Sequence, residues 1–236
     1  MLDVTALGEL LIDFTTLSVD GDGYPAMQAH PGGAPANFLA TLSAFGRKTA
    51  MLGKVGTDAF GDRLLHTLRS RGIDIGGMVR DPEVFTTLAF VTLDDKGDRA
   101  FSFARKPGAD TCLTTEELDF SRIDDAAVFH FGTLSLTAEP ACSATHAAVA
   151  HAKAHGKLIS FDPNLRLPLW DDPQAAKTAM LWGLSQADVV KISDEEVAFL
   201  WDLSPMEGAR HICQTYGTSL VWVTCGAEGL IPPFPK

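Results

Sequence analysis

The 236-residue sequence predicts an α/β fold with a mostly parallel central sheet flanked by helices, and a small β lid attached to it. From about residue 114 onward, short apolar segments alternate with helical ones, which is typical of parallel strands joined by helical crossovers. Residues 84–104 instead contain two β-rich segments around the turn 94–97, which predicts a hairpin. We therefore expect a single domain over residues 1–236, with the lid formed by about 14–31 and 84–106.

The amino-terminal part is predicted to contain one strand and two helices. Val4–Ile12 is short and apolar and predicts a buried strand, although a Gly-Glu pair interrupts it. A helix is expected over about 35–46, where a glycine ends it. A second helix is expected over about 58–72, because Asp58 can cap its start and a glycine can end it. Residues 18–31, rich in Gly, Asp and Pro, predict a loop or a weak edge strand.

The carboxyl-terminal half is predicted to alternate strands and helices. Four further strands are expected at Ala126–Phe131, Lys157–Asp162, Asp188–Ile192 and Thr218–Thr224. Helices are expected at about 139–155, from Pro173, from Ser193 and from Ser204. Thr114–Glu117 has the pattern of a capping box. The tail Leu230–Lys236 has three prolines in four residues, which cannot continue a helix or a central strand, so we expect the regular pattern to end there.

Composition excludes several classes of protein. A hydrophobic content of 46% with 21% charged residues is that of a folded protein. The net charge of −11 argues against a nucleic-acid partner, which would require a basic face. No apolar run is long enough to span a membrane, and the start has no basic leader, so we expect a cytoplasmic protein. Scattered cysteines agree with a reducing compartment, and we interpret His146, His151 and His155 as solvated positions on one helix.

The most informative segment is residues 32–61, in which Gly32-Gly33 leads into a helix that carries Asn37. Glycine allows the backbone to approach a ligand closely, because it has no Cβ. The amide of Asn37 can hydrogen-bond a polar ligand from the same end of the helix. A second glycine-rich block, Gly53–Asp58, follows.

Together with three later blocks, this segment resembles the ribokinase-like (PfkB) carbohydrate kinases, and most closely the bacterial fructokinases. The later blocks are Phe103–Asp110, Phe161–Trp170 and Lys191–Glu196, where Ser193 stands in place of the family's asparagine. The similarity runs from about residue 3 to residue 229 and is specific as a joint pattern. It implies ATP-dependent phosphorylation of a hydroxyl of a small sugar, most plausibly fructose. It also implies ATP and Mg²⁺, with a monovalent cation such as K⁺ as a further candidate.

The resemblance assigns two groups of site residues. The sugar-binding group is Asp13, which is expected at the end of the first strand, with Gly32, Gly33, Asn37, Phe101, Phe103 and Arg105.

The phosphate-facing cation is Arg166, because a guanidinium matches phosphate oxygens. Asp162 and Asn164 end a strand where α/β sheets bind ligands. The nucleotide-binding group is Lys191, Ser193, Thr224 and Gly226, and Glu196 is expected to organise Mg²⁺ through water. Ser193 and Glu196 also form a capping-box pattern, and the two roles can coexist.

One element of the family pattern is absent from the sequence. The Gly-Ala-Gly-Asp motif, which supplies the anion hole and the catalytic aspartate, does not occur. We therefore expect a chain truncated at its carboxyl end, lacking the last elements of the fold and with little activity.

The alternatives are a catalytically inactive sugar-binding or regulatory relic, and a kinase for ribose, 2-keto-3-deoxygluconate or a nucleoside. A nicotinamide-dependent oxidoreductase is disfavoured because no GxGxxG follows the first strand. The expected partners are a sugar and ATP, with a homodimer through the lid as a candidate, and neither a nucleic acid nor a membrane.

Overall fold

The structure is a computed structural model that describes residues 1–93 and 99–235, and two sheets organise this part of the chain. The main sheet contains eight strands within the described residues, in the spatial order β12 (Leu230–Pro235), β11 (Leu220–Thr224), β10 (Val189–Ser193), β9 (Leu158–Asp162), β8 (Ala126–Gly132), β1 (Leu2–Leu7), β4 (Thr49–Gly56) and β5 (Asp74–Asp81). Every neighbouring pair is parallel except β11 with β12. The predicted fold class is confirmed.

The α-helices connect these strands, as the alternation predicted. They are α1 (Ala34–Ala44), α2 (Ala59–Ser70), α3 (Phe120–Asp124), α4 (Ala141–Ala154), α5 (Pro173–Gln186), α6 (Asp194–Trp201) and α7 (Pro205–Tyr216). Buried side chains form two hydrophobic clusters, one around Phe129 and Phe161 and the other around Leu39, Met51 and Leu64. In the described part of the chain, no helix has the length and apolarity needed to cross a membrane.

The lid is a second sheet with four strands among the described residues, built from the two predicted segments together. Its order is β3 (Pro25–Gly32), β2 (Leu11–Val19), β6 (Leu88–Leu93) and β7 (Arg99–Ala104). β2 pairs antiparallel with β3 and parallel with β6, and β6 pairs antiparallel with β7. The predicted edge strand within 18–31 is therefore β3. The predicted turn at 94–97 lies outside the described residues.

The prediction of one strand over Val4–Ile12 is wrong. The segment divides between β1 in the main sheet and β2 in the lid, and the chain changes sheet at Gly8–Leu10. The sequence remains apolar across this crossing because Leu10, Leu11 and Ile12 are buried where the two sheets meet. A continuous apolar run therefore conceals the boundary between two strands.

The second glycine-rich block is part of a central strand, which the sequence did not predict. Gly53–Gly56 lies inside β4, every residue of which is buried. Lys54 extends from this strand to two carboxylates, with its Nζ 3.1 Å from Asp81 Oδ2 and 2.8 Å from Glu117 Oε1. Glu117 closes the capping box at Thr114, which begins a short 3₁₀ turn. This block therefore holds the main sheet together and lies outside the cavity described below.

The proline-rich tail forms neither a helix nor a central strand, as predicted, but it does form an edge strand, which the sequence analysis did not predict. Leu230–Pro235 forms β12 and pairs antiparallel with β11 at the edge of the main sheet. An edge strand tolerates proline because one side of its backbone has no partner strand to receive an N–H.

Candidate active site between the lid and the main sheet

A cavity of about 470 Å³ opens between the lid sheet and the carboxyl ends of β8 and β9. Fourteen of the described residues line it: Glu9, Leu11, Asp13, Gly33, Ala34, Asn37, Phe38, Thr41, Phe101, Phe103, Leu134, Asp162, Asn164 and Arg166. Ligands of α/β proteins bind at the carboxyl ends of parallel strands, and a volume of about 300–1,000 Å³ is typical of small-molecule sites. The cavity therefore has the position and size of a ligand site.

The structure brings together most of the predicted sugar-side residues and the predicted phosphate-side residues in this one cavity. The predicted residues that line it are Asp13, Gly33, Asn37, Phe101, Phe103, Asp162, Asn164 and Arg166. Gly32 and Arg105 do not line it. Residues about 150 positions apart in the sequence thus face one another across the cavity, as Asp13 and Arg166 do.

Asp13 reaches the cavity from an unexpected position. It lies within β2 of the lid and not at the end of the first strand, so the predicted placement was wrong. Burial raises the pKa of the Asp13 carboxyl above its ordinary value, while the charges of Arg166 and His30 oppose this shift. A partly desolvated carboxylate in a cavity is a strong acceptor for ligand hydroxyl groups.

The Gly32-Gly33 pair packs the chain against itself. A Cβ on Gly32 would collide with the Asp13 carboxylate, so glycine leaves room for that side chain. Gly33 has a φ of +109°, which L residues with side chains rarely adopt, and a Cβ there would collide with the carbonyl oxygen of Glu9. Both glycines are thus required by local packing, and only Gly33 also lines the cavity.

Glu9 is a cavity residue that the sequence analysis missed. Its carboxyl is buried, and its Oε1 accepts a hydrogen bond from Ala34 N at 2.8 Å, which satisfies a free N–H at the start of α1. Burial raises the pKa of Glu9 to about 7, and the negative charge of Asp110 acts in the same direction. The only signal in the sequence was a glutamate that interrupts an otherwise apolar run.

The opposite wall carries the predicted phosphate-facing residues. Asp162 ends β9, and its Oδ2 lies 3.3 Å from Lys191 Nζ. Burial raises the pKa of Asp162 to about 6, against the opposing charge of Lys191. The guanidinium carbon of Arg166 lies 5.4 Å from the centroid of the Phe101 ring, and its Nη1 donates to Leu165 O at 2.9 Å. A cation and a carboxyl therefore share this side of the cavity.

Ser193 and Glu196 form the capping box that their spacing predicts. Ser193 Oγ accepts from Glu196 N at 3.1 Å, and Glu196 Oε2 accepts from Ser193 N at 2.8 Å. The other oxygen, Oε1, accepts from Leu165 N at 2.7 Å. Glu196 is buried, and it therefore joins the start of α6 to the segment that carries Arg166.

The remaining predicted nucleotide residues lie farther along the same edge of the main sheet. Ser193 and Thr224 are register partners at the carboxyl ends of β10 and β11, and Gly226 follows β11. None of these three lines the cavity, and Lys191 contacts it only through Asp162. They form a separate polar edge beside the cavity.

Arg105 has the contacts of a lid anchor. Its guanidinium donates to Asp110 Oδ2 from both Nε (2.9 Å) and Nη2 (2.6 Å), and it also donates to Thr137 Oγ1 at 2.7 Å and Leu134 O at 2.8 Å. The side chain is buried, so all of its charge is neutralised inside the protein. Its predicted contact with sugar stays a prediction.

His130 lies beside the cavity and was also missed. It is buried in β8, where its ring packs on Phe38 with centroids 4.1 Å apart and its Nδ1 shares a hydrogen bond of 2.9 Å with Ser160 Oγ. Burial lowers the pKa of His130 to about 3, and the charge of Lys191 adds to this effect. His130 is therefore a neutral support for the cavity wall that Phe38 provides.

Comparison with known proteins agrees with this geometry. Residues 1–231 match the family model described as pfkB family carbohydrate kinase. Probable fructokinase-6, chloroplastic, of Arabidopsis thaliana is 45% identical over 199 residues, which is 84% of this chain and 52% of that protein. The chain thus spans about half the length of this curated relative.

Two solved structures extend the similarity to the fold. Fructokinase with bound ATP from Xylella fastidiosa superimposes with a TM-score of 0.89 at 31% identity, covering 100% of this chain and 76% of that one. Fructokinase from Vibrio cholerae O395 in its fructose, ADP and calcium ion bound form gives a TM-score of 0.86 at 33% identity, covering 99% and 74%. Since a family model matches nearly its whole length, the chain belongs to the PfkB family of carbohydrate kinases.

Proposed function

We propose that the protein is an ATP-dependent sugar kinase that phosphorylates a hydroxyl of fructose. The observation that carries this proposal is the cavity in which Asp13 and Asn37 face Arg166 and Asp162. The first pair supplies acceptors and an amide for hydroxyl groups, and the second supplies a cation and a carboxyl where a phosphate would arrive. The fructokinases of Xylella fastidiosa, with ATP, and Vibrio cholerae, with fructose and ADP, support this choice of ligands.

Phosphoryl transfer depends on alignment and on charge neutralisation. In the proposal, Asp13 and Asn37 orient the sugar, and Phe101 and Phe103 of the lid cover it and exclude water. Arg166 leaves the Phe101 ring to pair with phosphate oxygens. Lys191, Ser193, Thr224 and Gly226 would contact the nucleotide along the polar edge beside the cavity.

The acidic residues near this edge fit a hard cation held mainly through water. Mg²⁺ prefers oxygen ligands and retains several waters, and Asp162 offers a carboxyl at the end of β9. Both oxygens of Glu196 already accept backbone N–H bonds, so this residue would act through a water rather than directly. Bound Mg²⁺ would neutralise phosphate charge, and K⁺ stays a second candidate.

The hydroxyl proton must also be accepted. The family resemblance places this role on the aspartate of a Gly-Ala-Gly-Asp motif, which the 236 residues do not contain. We therefore propose that these residues bind the sugar and hold the phosphate contacts, and that turnover requires the motif. General-base catalysis contributes a factor of about 10²–10⁴ to the rate.

Calorimetry with fructose tests the sugar-binding part. We expect 1:1 binding by the chain and, for Asp13→Asn, an affinity about 10–100-fold lower, because a charge-assisted hydrogen bond contributes about 1.5–3 kcal/mol. Asp62→Asn, in an exposed ion pair with Arg80, is the matched control and should bind as wild type does. Ribose, 2-keto-3-deoxygluconate and a nucleoside complete the ligand panel, and tighter binding of any of these would replace fructose as the substrate.

An assay of fructose-dependent ADP formation tests the kinase part. The 236-residue chain is expected to be near background, and fusion to the carboxyl-terminal segment of the Xylella fastidiosa fructokinase is expected to raise activity. A fusion that binds both fructose and ATP but forms no ADP would favour the non-catalytic sugar-binding alternative.

We also propose a cytoplasmic location and a homodimer through the lid. The scattered cysteines support a reducing compartment. Leu17, Val19 and Tyr24 of the lid region are 65%, 60% and 73% exposed, which supports a partner surface there. Leu17→Lys combined with Val19→Lys should convert a dimer to a monomer in sedimentation analysis. Phe45→Ser removes an exposed ring that follows α1 and should leave the dimer intact.

A further inference from the structure

Asp124, His151 and His155 converge at the end of the main sheet opposite the cavity. Asp124 is the last residue of α3 and lies just before the amino-terminal end of β8, whereas the cavity lies at the carboxyl ends. His151 is in the last turn of α4, and His155 follows as its carboxyl-terminal cap. One potential ligand atom from each of the three residues lies within 4.8 Å of the others.

The distances bracket those of a tetrahedral metal site. His151 Nε2 lies 2.7 Å from Asp124 Oδ1, and His155 Nδ1 lies 4.0 Å from the same oxygen. Metal–ligand bonds of about 2.0–2.1 Å at tetrahedral angles separate neighbouring ligand atoms by about 3.3 Å. This value falls between the two measured separations, so the side chains would rotate to receive an ion, and His155 Nδ1 would leave the His151 carbonyl.

Both imidazoles are held in position by their surroundings. Residues four apart share a helix face, and the two rings stack with centroids 4.1 Å apart. Phe120 packs against His151 with centroids 4.6 Å apart, and His155 Nδ1 donates a hydrogen bond of 2.8 Å to the His151 carbonyl. Packing of this kind orients ligands around metal sites in proteins, whereas binding of an ion through His155 Nδ1 would replace its hydrogen bond to the carbonyl.

We propose that Asp124, His151 and His155 bind a divalent transition-metal ion, with Zn²⁺ as the occupant. Two imidazoles and one carboxylate form a ligand set that suits zinc, nickel or copper, and Mg²⁺ strongly prefers an all-oxygen set. The partial exposure of the three side chains lets an ion enter and leaves a position for water. Lys157 Nζ donates to the backbone carbonyl of Asp124 at 2.6 Å and so does not occupy the carboxylate.

The bound ion would connect α3 to α4. In the structure the two helices are linked by the hydrogen bond between His151 and Asp124 and by the packing of Phe120 on His151, and a metal would replace the proton of that hydrogen bond with a bond to each residue. The site is independent of the proposed kinase activity, because none of its residues lines the cavity.

Isothermal titration of the 236-residue chain with ZnCl₂, in a chelator-free buffer, tests the proposal. We expect one ion per chain with a Kd of about 1–10 μM, which is the range of −7 to −8 kcal/mol. Asp124→Asn, His151→Ala and His155→Ala should each weaken binding at least about tenfold. His211→Ala, on α7, is the matched control and should leave the Kd unchanged.

Two further measurements distinguish the loss of a metal ligand from the loss of folding in a variant that does not bind zinc. Circular dichroism should show unchanged helix content in each variant, and substitution with Co²⁺ should give the visible absorption of a tetrahedral nitrogen-containing site. Zinc should also raise the Tm of the wild type and the His211→Ala control, and leave the other three variants unchanged. Absence of wild-type binding, or binding by His151→Ala and His155→Ala as tight as that of the wild type, overturns the proposal.

Discussion

The guanidinium carbon of Arg166 lies over the Phe101 ring at 5.4 Å from its centroid, and this contact joins the segment after β9 to lid strand β7. A cation over an aromatic face contributes about 0.5–1 kcal/mol at an exposed site. The contact therefore helps to hold the lid over the cavity. It also keeps the guanidinium of Arg166, the proposed phosphate-binding group, against the Phe101 ring.

Phe101→Leu keeps an apolar side chain and removes the aromatic face. We expect hydrogen exchange of the β7 amides to become about 2–5 times faster, because a loss of about 0.5–1 kcal/mol shifts the opening equilibrium by that factor. Mass spectrometry of peptides covering residues 99–104 measures this exchange rate. Phe103→Leu is the control, since Phe103 also lines the cavity and stacks on Phe101 with centroids 6.2 Å apart. Equal acceleration in both variants would exclude the cation–π contact as the cause.

Glu9 is expected to make stability depend on pH. The folded-state pKa of about 7 lies above the ordinary value of 4.5, so the folded protein keeps a proton that the unfolded chain releases between these values. The contribution of Glu9 to the free energy of unfolding is fully present below about pH 4.5. It is lost as pH rises through about 7, and the loss is at most about 3 kcal/mol.

Glu9→Gln removes this titration, and its amide oxygen can still accept from Ala34 N. The variant should therefore equal the wild type near pH 4.5 and exceed it in free energy of unfolding at pH 8.5. Urea denaturation at several pH values measures the difference. A difference that stays constant from pH 4.5 to 8.5 would contradict the raised pKa.

The two capping boxes at Ser193 and Ser204 provide a matched pair. Each serine accepts an N–H from the glutamate three residues on, so Ser193→Ala and Ser204→Ala should each cost about 1 kcal/mol. Glu196→Ala should cost more than Glu207→Ala, by about 1–3 kcal/mol, because it also leaves Leu165 N without its acceptor. Guanidinium denaturation of all four variants gives these values, and equal losses for the two glutamates would show that the Leu165 contact contributes nothing.

Lys54 neutralises two carboxylates beside β4, and its replacement should be costly. Lys54→Met leaves Asp81 buried without its cation, for which we expect a loss of about 3–5 kcal/mol. Arg80→Met breaks the exposed pair with Asp62 and should change stability by less than about 1 kcal/mol. Chemical denaturation compares the two variants. Similar losses would mean that burial does not distinguish these two ion pairs.

Elements with local sequence signals could be predicted. Asp58 caps α2 by accepting from Phe60 N and Gly61 N, as its position before an amphipathic segment indicated. Such contacts connect residues two or three positions apart, so the sequence alone contains both partners. The alternation of strands and helices after residue 114 succeeded for a related reason, since each helix covers the strand next to it.

Strand partners are decided by distant residues, and the errors arose there. β1 and β2 follow one another with only Gly8–Leu10 between them, yet β1 pairs with β4 and β8 and β2 pairs with β3 and β6. Hydrophobic periodicity gives burial but does not identify the sheet. For the same reason the glycines of β4 resembled a ligand-binding loop, although their small size serves local packing: a Cβ on Gly53 would collide with the carbonyl oxygen of Gly8.

The site was predictable where the family pattern and the strand-end rule agreed. The strand-end rule points to Asp162 and Asn164 and the family pattern points to Arg166, and all three line the cavity. Glu9 was not predicted as a cavity residue, because a buried carboxyl within an apolar run has no local signature in the sequence. Arg105 was grouped with the sugar because its sequence position adjoins the lid, and only the folded chain reveals Asp110 and Thr137 as its partners.

Asp13 belongs to the lid rather than to the main sheet, so the cavity is divided between two bodies of the fold. In the proposed function, a rotation of the lid would carry this carboxylate away from Asn37 and separate the two halves of the proposed sugar contact. Ligand recognition and closure are then the same event, and a measured affinity equals the intrinsic affinity multiplied by the fraction of molecules already closed. Substitutions at Gly8–Leu10, where the chain passes from the main sheet to the lid, are therefore expected to alter the affinity for the proposed sugar as strongly as substitutions of residues that would touch it.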